Sequence, residues 1–136
     1  MSGMTTFSYD QNLLRQSLGL TQELLSELIE DCFTLNSSDQ ACEILWHKKL
    51  SRLTREVSQF VEITTLIAKA ISVEKVAPLA EIKNSHIHLL FIMKGIGQAQ
   101  LKADALALED LIKHELKDNL TQWKIDLIPQ LKKLLN

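Results

Sequence analysis

Apolar residues recur at alternating steps of four and three along residues 46–71. The positions of this strip are Trp46, Leu50, Leu53, Val57, Phe60, Thr64, Ile67 and Ile71. A 3.5-residue repeat held for more than three heptads is typical of one long helix packed along another. We therefore predict that this helix is the one on which the rest of the chain packs. Departures from close packing are expected at Thr64, its only polar member, and at Trp46.

A matching apolar stripe precedes this strip and predicts a first helix. Its members are Leu14, Leu18, Thr21, Leu25, Leu28, Cys32 and Leu35. The helix is predicted to begin near Tyr9 or Asp10, after a flexible tail over residues 1–8, and to end at about Leu35. Gly19 weakens a helix by about 1 kcal/mol relative to alanine. The stripe keeps its phase across Gly19, so one unbroken helix is favoured over a break.

Polar residues at positions 36–39 separate the two stripes and predict a tight turn. Ser37, Ser38 and Asp39 are each suited to cap the second helix, which is predicted to run to about Ala70 or Ser72. A tight turn folds the first helix back along the second as an antiparallel hairpin. The charges fit that pairing, since acidic residues of one helix flank basic residues of the other. These are Glu23, Glu27, Glu30 and Asp31, and Lys48, Lys49, Arg52 and Arg55.

A third helix is predicted to begin at Pro78, which suits a first helical turn, and to end at about Ala103. Its predicted apolar face is wide: Leu79, Ile82, Ile87, Leu89, Leu90, Ile92, Met93 and Ile96. Gly95, Gly97 and Ala99 form a small-residue patch. At such a patch either a neighbouring helix approaches closely or the helix is locally weak. We favour the close approach.

Asp104 is predicted to cap a fourth helix that extends towards the end of the chain. Its stripe is Leu108, Ile112, Leu116, Leu120, Trp123, Leu127, Leu131 and Leu134. Pro129 lacks a backbone N–H and should kink or end this helix just before it. Four helices with short connections predict an all-α fold. We expect an antiparallel up-down-up-down four-helix bundle that forms one domain over residues 9–136.

Charge and cysteine content limit the classes of partner. The formal net charge is −2 over 136 residues, so no strong field attracts nucleic acid or an acidic membrane. The longest apolar run, around Ile87 to Met93, is too short to span a bilayer, and the first residues do not form a signal peptide. Two cysteines without a CxxC pattern fit a reducing compartment. These features predict a cytoplasmic protein without nucleic-acid or membrane partners.

The two cysteines lie five residues on either side of Ser37. In an antiparallel hairpin Cys32 and Cys42 come close enough to pair, so a redox link is one interpretation. Two small buried apolar residues that close the end of the core are the interpretation we favour.

The histidines are the other candidates for chemistry. His86 and His88 are two residues apart, which on a helix points them about 200° apart, so they cannot easily share a metal ion. Asp110 and His114 have suitable spacing, but a metal site needs three or four ligands. We therefore expect no metal, no cofactor and no catalytic activity. His86 is expected to be half-buried and hydrogen-bonded, and His47 to be exposed.

The segment Phe91-Ile-Met-Lys94-Gly95 resembles the phosphorylation motif of histidine-phosphotransfer domains, which are small four-helix bundles. In that family the phosphorylated histidine is followed at three and four residues by lysine and glycine. Here phenylalanine stands at the histidine position, and His88, one helical turn earlier, is the substitute. The resemblance implies an alternative function as a phosphotransfer-like or degenerate phosphorelay bundle. Its site would consist of His88, Lys94 and Gly95.

A second pattern lies within residues 98–123. It consists of Asp104, Leu108, Asp110-Leu-Ile-Lys-His-Glu-Leu116, Leu120 and Trp123. This pattern resembles a run in a family of uncharacterised small bacterial helical-bundle proteins, which reads roughly Leu-Ala-Asp-Leu-Leu-Glu-Tyr-Glu-Leu. His114 stands where that family has tyrosine. The resemblance implies a bacterial source and a helical bundle but no activity. Size and helix content are also similar to those of flagellar and secretion export chaperones, an analogy of fold class alone.

These observations favour a non-enzymatic cytoplasmic interaction module. We expect an adaptor or export-chaperone-like bundle that contacts another protein through a helix-in-groove interface. Trp46, Phe91 and Trp123 are candidate contact residues, although a place in the core is favoured for each. A homodimer is an open alternative, because a heptad strip of this length can pair between chains as well as within one.

Overall fold

A computed structural model describes the backbone of residues 2–35, 43–72 and 79–135, and the side chains of residues 12–35, 46–71 and 80–135. This part of the chain contains four helices and no strand, which confirms the predicted all-α fold. They are α1 (Ser2–Thr34), α2 (Glu43–Ser72), α3 (Leu79–Leu101) and α4, which runs from Ala105 to Leu135. The predicted turn at 36–39, Cys42 and Pro78 lie outside the described residues. No helix within the described ranges combines the length and apolar character needed to span a membrane.

Helix α1 begins earlier than predicted. It is helical from Ser2 onwards, whereas the stripe predicted a start near Tyr9 or Asp10. No proline interrupts residues 2–8, and each residue added to an existing helix gains one backbone hydrogen bond. The helix also passes through Gly19 without a break, as predicted. The division into a tail and a domain stays a prediction, because the side chains of residues 1–11 lie outside the description.

Helix α4 is a continuous run in which α-helical and wider π-helical segments alternate. The segments are Ala105–Asp110 (α), Leu111–Leu116 (π), Lys117–Gln122 (α), Trp123–Leu127 (π) and Ile128–Leu135 (α). In the second wide turn the Ile128 N–H donates to the carbonyl oxygen of Trp123, a five-residue step. This turn lies directly before Pro129, whose ring and missing N–H disturb a regular α-helix. The helix therefore does not end before Pro129 but continues to Leu135.

One hydrophobic core draws on all four helices. All eight positions of the predicted α2 strip are buried. The α1 and α4 stripes are also largely buried, with Leu14 and Leu134 partly buried at their edges. Three of the four predicted stripes are thus confirmed as core-facing.

The predicted apolar face of α3 is partly wrong. The buried row is Ile82, Leu89, Ile92, Ile96 and Ala99, with the half-buried Ser85 in the same row. Ile87 and Leu90, which were predicted to be part of the face, are 51% and 55% exposed. Apolar residues occur around most of this helix, and only the side turned to the core is buried.

The connection between α3 and α4 is a tight C-terminal cap. The Asp104 N–H donates to the Ala99 carbonyl at 2.9 Å, and the Ala103 N–H donates to the Gln100 carbonyl at 3.1 Å. Ala103 has a φ of 52°, the left-handed conformation that glycine usually supplies at this position. Asp104 then caps α4, as predicted, because its Oδ1 accepts from the Ala107 N–H at 3.1 Å.

Gly95 marks a close approach of α3 and α4. A Cβ atom at this position would lie 3.4 Å from Leu111 Cδ1, whereas a Cβ on Gly97 would meet nothing within 4 Å. Ala99, in the same small-residue patch, is buried. The favoured close approach is confirmed at Gly95, but Gly97 does not take part.

The charged groups of α1 and α2 interact only in part as predicted. Arg52 donates to Glu56 of its own helix at 2.8 Å. Asp31 of α1 lines a small surface cavity together with Lys49 and Arg52. Burial raises the pKa of the Asp31 carboxyl, and the charge of Arg52 partly opposes that shift. The charged residues of α1 and α2 therefore lie along one edge of the helix pair, but the hydrogen bond that Arg52 donates to Glu56 is made within α2.

Candidate functional site

His86 and His88 link α3 to two different helices. His86 Nε2 lies 2.7 Å from the Thr64 hydroxyl of α2. On the other side, Asn119 Nδ2 of α4 donates to His88 Nδ1 at 3.3 Å. The two rings therefore point apart, as their spacing predicted, and His86 is half-buried and hydrogen-bonded as expected. Together they fix the orientation of α3 between α2 and α4.

An aromatic cluster surrounds His86. Its ring stacks on Trp123, with ring centres 5.1 Å apart and an angle of 30° between the planes. Trp123 in turn meets Phe60 edge to face at 5.2 Å. The Thr64 hydroxyl donates to the Phe60 carbonyl at 2.8 Å, which leaves its lone pair free to accept from His86 Nε2–H. Burial lowers the pKa of His86, so the neutral ring is favoured in the folded protein.

A polar seam lies between α3 and α4. Asn119 is only 5% exposed, and its Nδ2 also lies 3.4 Å from the Ser85 carbonyl oxygen. Asn119 Oδ1 and Ser85 Oγ are buried and have no hydrogen-bond partner within the described part of the chain. Sequence reasoning did not find Asn119. The signal was its spacing, since it follows Ile112 and Leu116 and precedes Trp123 at helical steps of four and three.

The side of α3 that points away from the core is apolar. Ile87, Leu90 and Phe91 are 51%, 55% and 73% exposed. One lysine lies on either side of them along the helix, Lys83 and Lys94, and both are exposed. We call these five residues the outer face of α3. Among the described residues, the ion pairs formed by side chains do not involve either lysine.

The residues predicted as a phosphorelay site are not brought together on one face. His88 and Lys94 are both exposed, but a separation of six residues places them about 120° apart around a helix. Gly95 faces Leu111 of α4. Phe91, at the position that resembles a phosphorylated histidine, is 73% exposed and among the most exposed apolar side chains of the described residues, so the core place favoured for it is wrong.

Both tryptophans lie in the core. Trp46 is 7% exposed and Trp123 is fully buried, which agrees with the favoured core interpretation. Neither ring therefore offers a contact surface in this conformation. The indole N–H groups of both are buried without a hydrogen-bond partner among the described residues. His47 is exposed, as predicted, and packs edge to face on Trp46 at 5.6 Å.

The remaining candidates for chemistry are the side chains that could bind a metal ion and the cysteine thiols. Within the described residues, no three histidine, cysteine, aspartate or glutamate side chains lie close enough to hold a metal ion. His114 and Asp110 are 3.8 Å apart and largely exposed. Cys32 is buried, and burial, helped by the nearby charge of Asp31, raises the pKa of its thiol to about 12. A thiol in that state is a poor nucleophile. The other cysteine, Cys42, lies outside the described residues, so the alternative of a redox link stays untested.

Comparison of the chain with protein-family models, with curated proteins and with solved structures finds no match.

Proposed function

We propose that this chain is a non-enzymatic interaction module of the adaptor or export-chaperone kind, and that it contacts another protein through the outer face of α3. One observation carries the proposal. Three large apolar side chains, Ile87, Leu90 and Phe91, are more than half exposed next to one another on a single helix. A group of exposed apolar residues flanked by charged ones is characteristic of interaction sites on soluble proteins.

The energetics favour binding by these residues. Removing a large apolar side chain from water contributes roughly 1.5–3 kcal/mol when burial is complete. A partner that covered Ile87, Leu90 and Phe91 would recover part of that for each. Phe91 is the expected anchor, because rigid aromatic side chains often dominate the energy of an interface.

The surface is also preorganised. Hydrogen bonds on both flanks, at His86 and His88, fix the rotation of α3 about its axis. The helix satisfies its own backbone groups, so a partner meets side chains that are already in place. Little ordering entropy is then lost on binding. We further propose that these histidines serve to position α3 rather than to catalyse a reaction.

The proposal includes an antiparallel up-down-up-down path for the four helices. Contacts between α3 and α4 support it, because positions that advance along α3 meet positions that recede along α4. Gln130 donates to Glu81 at 3.1 Å, Asn119 lies at Ser85, and Leu111 lies at Gly95. Arg15, in the first half of α1, donates to the Leu135 carbonyl at the end of α4.

Co-purification from the native host tests the proposed function. Three tagged forms are compared: the wild type, a double variant with Leu90→Ser and Phe91→Ser, and the control Leu66→Ser. Leu66 is a suitable control because it lies on α2 and is 61% exposed. We expect one set of proteins to be retained by the wild type and by Leu66→Ser, and lost with the double variant. If all three forms retain the same proteins, or the wild type retains none, the proposal is wrong.

One observation favours the alternative of a phosphorelay bundle. His88 is exposed, and its Nδ1 is the ring nitrogen that contacts Asn119. Because Nδ1 accepts from Asn119, the neutral ring carries its proton on Nε2, so Nε2 would have to lose that proton to solvent before it could accept a phosphoryl group. Incubation with a phosphorylated response regulator would give acid-labile label that is lost in His88→Gln and retained in His47→Gln. Absence of label on the wild type would rule this alternative out.

A further inference from the structure

We infer that the outer face of α3 binds an acidic amphipathic helix of another protein. That helix carries an apolar row with one carboxylate at each end, and the two carboxylates are about three helical turns apart. This inference depends on the proposed function and adds the chemistry of the partner. Two features support it: the spacing of the side chains along α3 and the sign of their charges.

The spacing defines the shape of the surface. Lys83, Ile87, Leu90 and Lys94 follow one another at steps of four, three and four, and Phe91 lies four residues after Ile87, so the five residues form one stripe along α3. The two lysines are eleven residues apart, which corresponds to about 16 Å along the helix axis. A partner helix lying along this stripe would place an apolar row over Ile87, Leu90 and Phe91. Its carboxylates would then meet a lysine at either end.

The charged residues of α3 determine which sign of charge the partner should carry. From Ile82 to Ala103 the chain contains three lysines, Lys83, Lys94 and Lys102, and no carboxylate. The nearest acidic residue of α3 is Glu81, whose carboxylate accepts from Gln130 of α4. The outer face is therefore basic, although the whole chain has a net charge of −2. Electrostatic complementarity between patches of opposite sign selects partners and directs their approach.

Two other occupants fit the surface less well. In a face-to-face dimer, this stripe would meet another stripe that carries lysines and no carboxylate. An anionic membrane is attracted mainly by clusters of four to eight basic residues, whereas this stripe has two. The observations therefore favour an acidic helix of a different protein.

A pair of synthetic helical peptides tests the inference. Both carry the same leucine row, and they differ only in having glutamate or lysine at two positions eleven residues apart. Fluorescence anisotropy measures their binding to the full chain. At low salt we expect the glutamate peptide to bind wild type roughly tenfold or more tightly than the lysine peptide, with a smaller difference at high salt.

Charge reversal on the protein provides the decisive comparison. The variant K83E/K94E should reverse the preference, so that the lysine peptide binds more tightly. The control K48E/K124E changes the net charge by the same amount at two exposed lysines elsewhere and should leave the preference unchanged. Phe91→Ser should weaken binding of the preferred peptide roughly tenfold or more. A preference that does not respond to K83E/K94E would overturn the inference.

Other outcomes also decide between the occupants. Failure of the wild type to bind either peptide would overturn the acidic partner, while the co-purification result for Leu90→Ser and Phe91→Ser would still stand by itself. Sedimentation that shows a dimer dispersed by Phe91→Ser would assign the face to a second copy. Binding to phosphatidylserine vesicles that is lost in K83E/K94E would assign it to a membrane. Either result would contradict the inference.

Discussion

Removing a phenylalanine ring should greatly destabilise this fold at Phe60 and leave its stability almost unchanged at Phe91. Phe60 is fully buried, whereas Phe91 is 73% exposed. Both residues lie in helix interiors, so the change Phe→Ala is chemically identical at the two positions. Any difference in the free energy of unfolding therefore reports the burial of the ring.

The expected cost at Phe60 follows from its surroundings. Its ring contacts Trp123 edge to face at 5.2 Å, and Trp123 also stacks on His86. Truncation of a buried phenylalanine costs about 3–5 kcal/mol, a total that includes the aromatic pair contribution of roughly 0.5–1.5 kcal/mol. For a chain of this size the midpoint of thermal unfolding should fall by about 10 °C or more.

The same truncation at Phe91 should be nearly neutral. Little burial is lost, and alanine is the better helix former by about 0.5 kcal/mol. We expect a change within roughly ±0.5 kcal/mol. The variant should therefore fold as the wild type does while losing partner binding, a combination that separates a contact residue from a core residue.

Urea denaturation followed by far-UV circular dichroism measures both values, provided that the slope of the transition is unchanged. A cost below about 1 kcal/mol for Phe60→Ala would show that the ring does not sit in a packed core. A cost above about 2 kcal/mol for Phe91→Ala would show that the outer face of α3 is covered by the chain itself.

Three further predictions concern single positions. Gly19→Ala should stabilise the protein by about 0.5–1 kcal/mol, because Gly19 lies inside α1 and a Cβ there would meet nothing within 4 Å; a loss of stability in urea denaturation would contradict the packing of α1. Ala103→Gly should also stabilise, by roughly 0.5–1 kcal/mol, since glycine adopts the left-handed backbone of this cap without strain; an unchanged or lower thermal midpoint would argue against the φ of 52°. The protein should lose stability as the pH falls below about 6.5, because burial lowers the pKa of His86 and the unfolded chain then binds more protons than the folded one. The slope of unfolding free energy against pH between 5 and 7 should be smaller in His86→Gln than in wild type, and equal slopes would refute this role.

The stripes of α1, α2 and α4 could be predicted from sequence because each helix has one apolar side. Positions 46–60 illustrate this, since only polar residues fill the gaps between core positions there and leave one possible face. On α3 the apolar residues do not single out one side. The core row includes Ser85 and omits Ile87 and Leu90, a choice that depends on which side of the helix meets α2 and α4. Tertiary packing, not periodicity, decides it.

The site was predictable only where the spacing along a helix determines the direction in which a side chain points. The divergence of His86 and His88 follows from a separation of two residues, and Thr64 was already singled out as the polar member of its strip. Asn119 was missed, because its helical spacing from Leu116 and Trp123 marks a core-facing position but does not show which residues a polar side chain will meet there. The π-helical turns of α4 were also not predicted. Only Pro129 hinted at one of them, since the local sequence does not otherwise distinguish a wide turn from an α-helical turn.

Photo-crosslinking in the native host tests the binding role of the outer face of α3 most directly. A photoreactive amino acid replaces Phe91 in one form and Leu66, on α2, in another. We predict that illumination yields a discrete covalent adduct with a second protein from position 91 and none from position 66. Adducts of equal yield from both positions, or none from position 91, would contradict the account.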